Sequence, residues 1–158
     1  MKKRKSRKIA KISFLFYALI LFAVLFFINS KKQYIDQSAI DYAKSKINLI
    51  PFKTISEYFS SLGKNTVNPE IATKDLIGNF TVFMPMGFYL PLFMKNVKSN
   101  MKYIVTVLVI LVCTEILKLI MMSGSFNIDD MILNLAGAMI GYMICQTKAV
   151  KKLIKKLK

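Results

Sequence analysis

The chain contains no histidine and only two cysteines. Without histidine there is no imidazole to act as general base beside a nucleophile, and none to ligate a metal. Cys113 and Cys145 form no CxxC motif and fall at different depths of two apolar segments. Neither a disulfide nor a thiolate metal site is expected, and both read as small apolar packing residues. Acids are scarce too: eight Asp and Glu stand against 24 Lys and Arg. Proline and glycine number four and six, so the places where they gather carry information. The chain shows no internal repeat and no low-complexity segment beyond its lysine-rich ends.

What is present is segregated. The 158 residues are 54% hydrophobic, with a mean hydropathy of +0.44, yet carry a formal charge of +16. High apolarity and high charge in one short chain imply apolar spans with charges packed between them. Residues 12–28, 76–94 and 131–147 hold no charged side chain, and 103–122 hold only Glu115 and Lys118. A helix crosses a bilayer in about 17–25 mostly apolar residues. The expected fold is therefore all-α: a polytopic membrane protein with a bundle of four transmembrane helices at 12–28, 76–94, 103–122 and 131–147. The first run exceeds the usual signal-peptide core of about 7–15 residues, and FFINSKK offers no small-x-small cleavage site, so a retained anchor is expected.

Lysine and arginine set the orientation. Residues 1–11 carry seven basic side chains, the tail 148–158 carries six, and 95–102 carries Lys95, Lys98 and Lys102, with no acid in any of them. Four spans place these three segments on one side, expected to be the cytoplasm. The segment 29–75, with Asp36, Asp41, Glu57, Glu70 and Asp75 among its lysines, then lies outside, as does the turn 123–130. The basic ends read as binding anionic lipid rather than nucleic acid, because their place beside the spans already accounts for them.

In the outer segment, Ile35, Ala39, Tyr42, Ala43 and Ile47 recur at roughly helical spacing. Pro51 breaks the pattern. Thr54 or Ser56 then suits the cap of a second short helix carrying Ile55, Tyr58, Phe59 and Leu62, and 63–70 reads as exposed loop. Two short interfacial helices are expected, with Phe52, Tyr58 and Phe59 at headgroup level, against the alternative of a solvated loop.

Depth follows from orientation. Asn79 lies in the outer turn of the second span, and Glu115 lies about 10 Å below the outer end of the third, at 1.5 Å per residue. Lys118 shares the Glu115 face. Asp129 and Asp130 open the fourth span, with Asn134 one turn in. Six polar residues from three helices thus converge toward the outer surface. A charge in hydrocarbon costs about 2.5–3.5 kcal/mol on insertion scales, so Glu115 is expected to face the bundle interior or a wet cavity. A self-neutralising Glu115–Lys118 pair and a polar pocket for a headgroup or cation both fit. Asn127 or Asp129 suits the cap of the fourth span, and the acids suit its dipole. Asp130, Asn134, Gly137 and Gly141 share one face, polar above and bare below, and GxxxG marks close helix approach. In the second span Pro85 and Pro91 are expected to kink or break the helix near freed carbonyls, and Gly87 to admit another backbone.

NLIPF (48–52), GNFTVFMPMGFYLP (78–91), TEILK (114–118) and FNIDDMILNLAGAMIGY (126–142), in that order, resemble the VanZ-like family over roughly residues 47–145. Gly78, Asn79, Phe83, Pro85 and Gly87 match its GNxxxFxPxG. Lys118 stands where the family often has Gln, and Ser125 and Asn127 stand in the region where an Arg and an Asp are often seen. The resemblance implies a multi-span protein of the bacterial cell membrane, in a family whose founding member is associated with low-level resistance to teicoplanin. Three functions are open. The first is a pocket binding a lipid or cell-envelope component, with Glu115, Asp129 and Asp130 as candidate ligands for a bridging divalent cation and Asn79 and Asn134 orienting the headgroup. The second is a metal-assisted enzyme acting on lipid-linked phosphate. The third is a structural scaffold. No catalytic motif stands out, no resident cofactor is expected, and transport would require a homo-oligomer.

Overall fold

The computed structural model describes residues 2–28, 38–64, 69–94 and 99–157. Ile35, the middle of the 63–70 stretch, and Lys95 and Lys98 lie outside the described residues. Helix α1 (Lys2–Ala23) runs into a π-helical turn (Val24–Ile28). Helices α2 (Ala39–Ser45) and α3 (Lys53–Lys64) flank the short strand β1 (Ile47–Asn48). The second span is two helices, α4 (Pro69–Val82) and α5 (Met86–Phe93). The third is α6 (Asn100–Ile120), and strand β2 (Phe126–Asn127) leads into the fourth, α7 (Ile128–Gln146). Helix α8 (Lys148–Leu157) closes the chain.

Four segments, Arg7–Phe27, Leu76–Phe93, Asn100–Ile120 and Ile128–Gln146, are long and apolar enough to cross a membrane. Their burial pattern inverts that of a water-soluble bundle. Ile12, Leu15, Phe16 and Leu19 of α1, and Val105, Val109, Val112 and Ile116 of α6, face outward, while Glu115 and Lys118 point in. An apolar surface of that extent suits lipid. The chain is an all-α polytopic membrane protein.

Helix α7 is the centre, with α4, α5, α6 and α8 packed against it. On α6 the buried residues Tyr103, Val107, Leu111, Glu115 and Lys118 recur every three or four positions, a single stripe that is apolar below and charged at the top. Tyr103 stacks on Tyr142 with ring centroids 4.1 Å apart, and its hydroxyl donates to the Ala138 carbonyl at 2.8 Å. Phe83, Met86 and Leu90 from α4–α5, with Leu25 and Phe26, complete this core.

The sequence signals in the second span resolve into a break. Pro85 has no N–H, and the chain passes residues 83–85 in tight turns in which Met86 N–H donates to the Phe83 carbonyl and Gly87 N–H to the Met84 carbonyl. The Val82 carbonyl, released from its helical partner, accepts the Tyr17 hydroxyl of α1 at 2.9 Å. Pro91 is carried inside α5. Tyr17→Phe should therefore destabilise the protein by about 1–3 kcal/mol, the cost of a buried unpaired acceptor, read as a lower thermal midpoint of the purified protein; an unchanged midpoint would refute it.

The break lies against the glycine face of α7. A Cβ on Gly137 would sit 1.8 Å from the Phe80 carbonyl oxygen, one on Gly141 2.0 Å from that of Met84, and one on Gly87 2.1 Å from the Tyr142 nitrogen. Backbone touches backbone along this crossing. The basic C-terminal segment is itself a helix: Ile154 and Val150 of α8 pack with Ala10, Leu92 and Cys145, next to the start of α1. Both lysine-rich ends therefore lie at one end of the bundle, the tail end, and α2, β1 and α3 at the other, the loop end.

Candidate functional site

At the loop end, the turn after α6 is shaped by a left-handed cap. Met122 has φ 49°, Met122 N–H donates to the Leu119 carbonyl and Ser123 N–H to the Lys118 carbonyl. This reverses the chain so that β2 pairs in parallel with β1, Ile47 opposite Phe126 and Asn48 opposite Asn127. Tyr42 adds a third tie, its hydroxyl donating to the Gly124 carbonyl at 3.0 Å. Burial pushes the Tyr42 phenol above its ordinary range, so it stays a donor.

The two adjacent acids then part. Asn127, not an acid, caps α7: its Oδ1 accepts the Asp129 N–H at 3.1 Å. Asp129 is fully buried and turns its carboxylate away from its own helix. It accepts N–H bonds from Phe52 at 2.5 Å, Thr54 at 2.7 Å and Ile55 at 3.2 Å, which are the free donors at the start of α3. The cap expected of Thr54 or Ser56 thus comes from a residue on another helix. The Thr54 hydroxyl instead accepts from Asn48 and Asn127, and Ser56 donates to the Lys53 carbonyl. Phe52 sits at φ 63°, a left-handed conformation costing a side-chain-bearing residue about 1–2 kcal/mol. The bond to Asp129 holds it there.

Asp130 points between α4 and α6. Its Oδ1 accepts from Asn79 at 3.0 Å and Asn127 at 3.4 Å, and its Oδ2 lies 3.8 Å from Lys118 Nζ. Lys118 Nζ is 2.6 Å from Glu115 Oε1, and Glu115 Oε2 accepts the Asn127 N–H at 3.2 Å. Asn79, Glu115, Lys118 and Asp130 are therefore joined directly across three helices. Asn134, one turn below Asp130, is 2% exposed, and its Oδ1 has no hydrogen-bond partner among the described residues. Asp129 belongs to the α3 anchor instead. Among the described residues, no group of three His, Cys, Asp or Glu side chains is placed to hold a metal ion. Pro85, Gly87, Gly137 and Gly141 lie deeper, at the helix crossing.

Sequence reasoning passed over Asn48 and gave Thr54 only a capping role, and both tie the loop-end segment to Asn127. The one available signal was Asn48 heading NLIPF, and it needed Asn127 as partner, a residue 79 positions away. Glu115 is 1% exposed and Lys118 8%, so each depends on the other. Glu115→Gln alone should destabilise the fold by about 3 kcal/mol by removing the closer of the two carboxylates facing a buried ammonium and leaving it only Asp130 at 3.8 Å, whereas Glu115→Gln with Lys118→Met should recover most of that loss. Thermal midpoints of the three proteins test this, and a double variant no better than the single would refute it.

The family comparison covers the same residues. The VanZ/LLP1 family model matches residues 14–150, nearly the whole chain. The protein VanZ of Enterococcus faecium is 27% identical over 124 residues, covering 78% of this chain and 67% of that protein. No solved structure matches. With the last three spans, the broken second helix and the polar site all inside the matched range, the chain belongs to the VanZ/LLP1 family.

Proposed function

We propose that the protein resides in the bacterial cell membrane with both termini cytoplasmic, and that its loop-end polar site binds a lipid or other cell-envelope component at the outer face, lowering sensitivity to teicoplanin. The lysine bias of the tail end supports the orientation. In this reading α8 and the start of α1 rest on anionic lipid of the inner leaflet. Phe52 and Phe59, both exposed at the loop end, sit at headgroup level. One observation carries the binding reading. Asp130 keeps its side chain 24% exposed at the rim, while Glu115, Lys118 and Asn134, arranged beneath or beside it, are buried. A polar path running from surface to interior is costly in a membrane protein and is typically kept for a ligand.

The relative named VanZ supports a link to glycopeptide sensitivity. A structural reading competes, favoured by the short Glu115–Lys118 pair, which neutralises itself. One experiment separates the two: teicoplanin susceptibility of a deletion strain complemented with the wild type, Asp130→Asn, Asn134→Leu, or the Glu115→Gln, Lys118→Met double variant, with protein levels measured in each. The binding reading expects sensitivity to rise in all three variants at normal protein level. Retained protection by the double variant would leave the scaffold reading.

A further inference from the structure

The site's carboxylates already draw on its donors. Lys118 Nζ faces Glu115 at 2.6 Å and Asp130 at 3.8 Å, so two carboxylates share one ammonium. Asn79 Nδ2 donates to Asp130, and Asn127 Nδ2 donates to Asp130 and Thr54. Among the described residues, the one buried side-chain atom without a partner is an acceptor, Asn134 Oδ1. It belongs to the same α7 face as Asp130, four residues on. That face lies between α4, which touches Gly137, and α6, whose Tyr103 reaches Ala138. An orphaned carbonyl oxygen in a buried position wants a hydrogen-bond donor. Glu115, Lys118 and Asp130 together leave one negative charge, so the donor that fits best is also a cation. An anionic phosphate would meet two carboxylates and compete for the single lysine.

Resting on the binding reading above, we infer that the group recognised at the loop-end site is a primary ammonium, held by Asp130 at the rim and Asn134 Oδ1 below it. An ammonium suits this position better than a bare metal ion because it supplies three directed N–H donors to acceptors on one helix face. Two sources share the chemistry: the headgroup of an aminolipid and the free amine of an envelope peptide.

The full-length protein in nanodiscs tests this. In the lipid arm, discs contain phosphatidylethanolamine, its N-acetylated form or phosphatidylglycerol, and lipid retained on the protein is read by native mass spectrometry. The wild type is expected to retain phosphatidylethanolamine on the order of tenfold over the N-acetylated lipid, and Asp130→Asn and Asn134→Leu to lose that preference, as for one charge-assisted hydrogen bond. In the soluble arm, a lysine-containing pentapeptide replaces the aminolipid, and its affinity is compared with that of the side-chain acetylated peptide. Discrimination in either arm that Asp130→Asn removes supports the inference and identifies the source. Equal retention of amine and acetylated amine in both arms, or discrimination indifferent to Asp130→Asn, overturns it. Size-exclusion profiles of each variant guard against misfolding, and Asp130→Asn, being isosteric and at the rim, keeps the test alive if Asn134→Leu fails to fold. Amine discrimination without a change in teicoplanin susceptibility would sink the resistance reading alone, and the reverse result would sink only the inference.

Discussion

Gly137→Leu should abolish accumulation of folded protein. The new Cβ alone would lie 1.8 Å from the Phe80 carbonyl oxygen, well inside van der Waals contact, before any further side-chain atom is added. Overpacking a core that can adjust costs about 1–3 kcal/mol. Here the obstacle is backbone, so relief requires α4 and α7 to separate. Separation would strip Phe83 and Ala138 of their contacts and draw Asn79 away from Asp130. A loss above about 4 kcal/mol is expected, beyond the range of most single substitutions. Gly141→Val and Gly87→Val should behave alike, since their Cβ atoms would meet the Met84 carbonyl and the Tyr142 nitrogen. Gly78→Ala is the control: nothing lies within 4 Å of its Cβ, and alanine is favoured over glycine in a helix by about 1 kcal/mol. Fluorescence-detected size exclusion of tagged variants reads the result. A monodisperse Gly137→Leu peak at wild-type level would mean the glycine crossing is not how these helices pack.

Asp129→Ala should release α3 while leaving the spans assembled. It removes the acceptor of three backbone N–H groups at the start of α3, one of them on the left-handed Phe52. Each hydrogen bond to a charged group is worth about 1.5–3 kcal/mol, though water will serve some of the freed donors, so a net loss of about 3 kcal/mol is expected. The readout is limited proteolysis, with cleavage between residues 46 and 64 rising sharply at unchanged size-exclusion behaviour. Asp129→Asn, which keeps one oxygen acceptor, should fall between wild type and Asp129→Ala. Phe52→Gly in the Asp129→Ala background should recover about 1 kcal/mol by relieving the positive φ. Asp130→Asn, one residue along the chain, should leave α3 protected. Equal protection of the Asp129→Ala and wild-type loops would show that β1 pairing and Tyr42 hold the segment without the carboxylate.

The contrast between these neighbours shows where sequence reasoning ends. Hydropathy is a local, additive property of about 20 consecutive residues, so the four spans were legible from composition along the chain. Helical periodicity is local too. It placed Asp130, Asn134, Gly137 and Gly141 on one face, and topology alone brought Asn79, Glu115, Lys118 and the α7 acids to the same end. Pro85 and Gly87 marked a break, because a missing N–H and a missing Cβ act where they stand. The basic tail was read as charge alone, although Val150 and Ile154 lie four apart among its lysines and pack as one helical face.

What only the tertiary structure decided is which partner each polar group takes. Two adjacent acids at a helix mouth look alike in sequence, and either suits a cap. Asp129 reaches Phe52, 77 residues away, and Asp130 reaches Asn79, 51 residues away, because successive side chains on a helix point about 100° apart and different elements happen to pack on each side. Of the two cap residues the sequence offered, Asn127 took the cap, and the carbonyl freed at Val82 went to Tyr17, 65 residues earlier. Burial forces every such group to find a partner, but the identity of that partner is set by the packing of distant segments, which no local pattern records. The orphaned Asn134 oxygen is the same rule seen from its exception: sequence placed the residue in the seam, and only the assembled bundle showed that nothing among the described residues satisfies it.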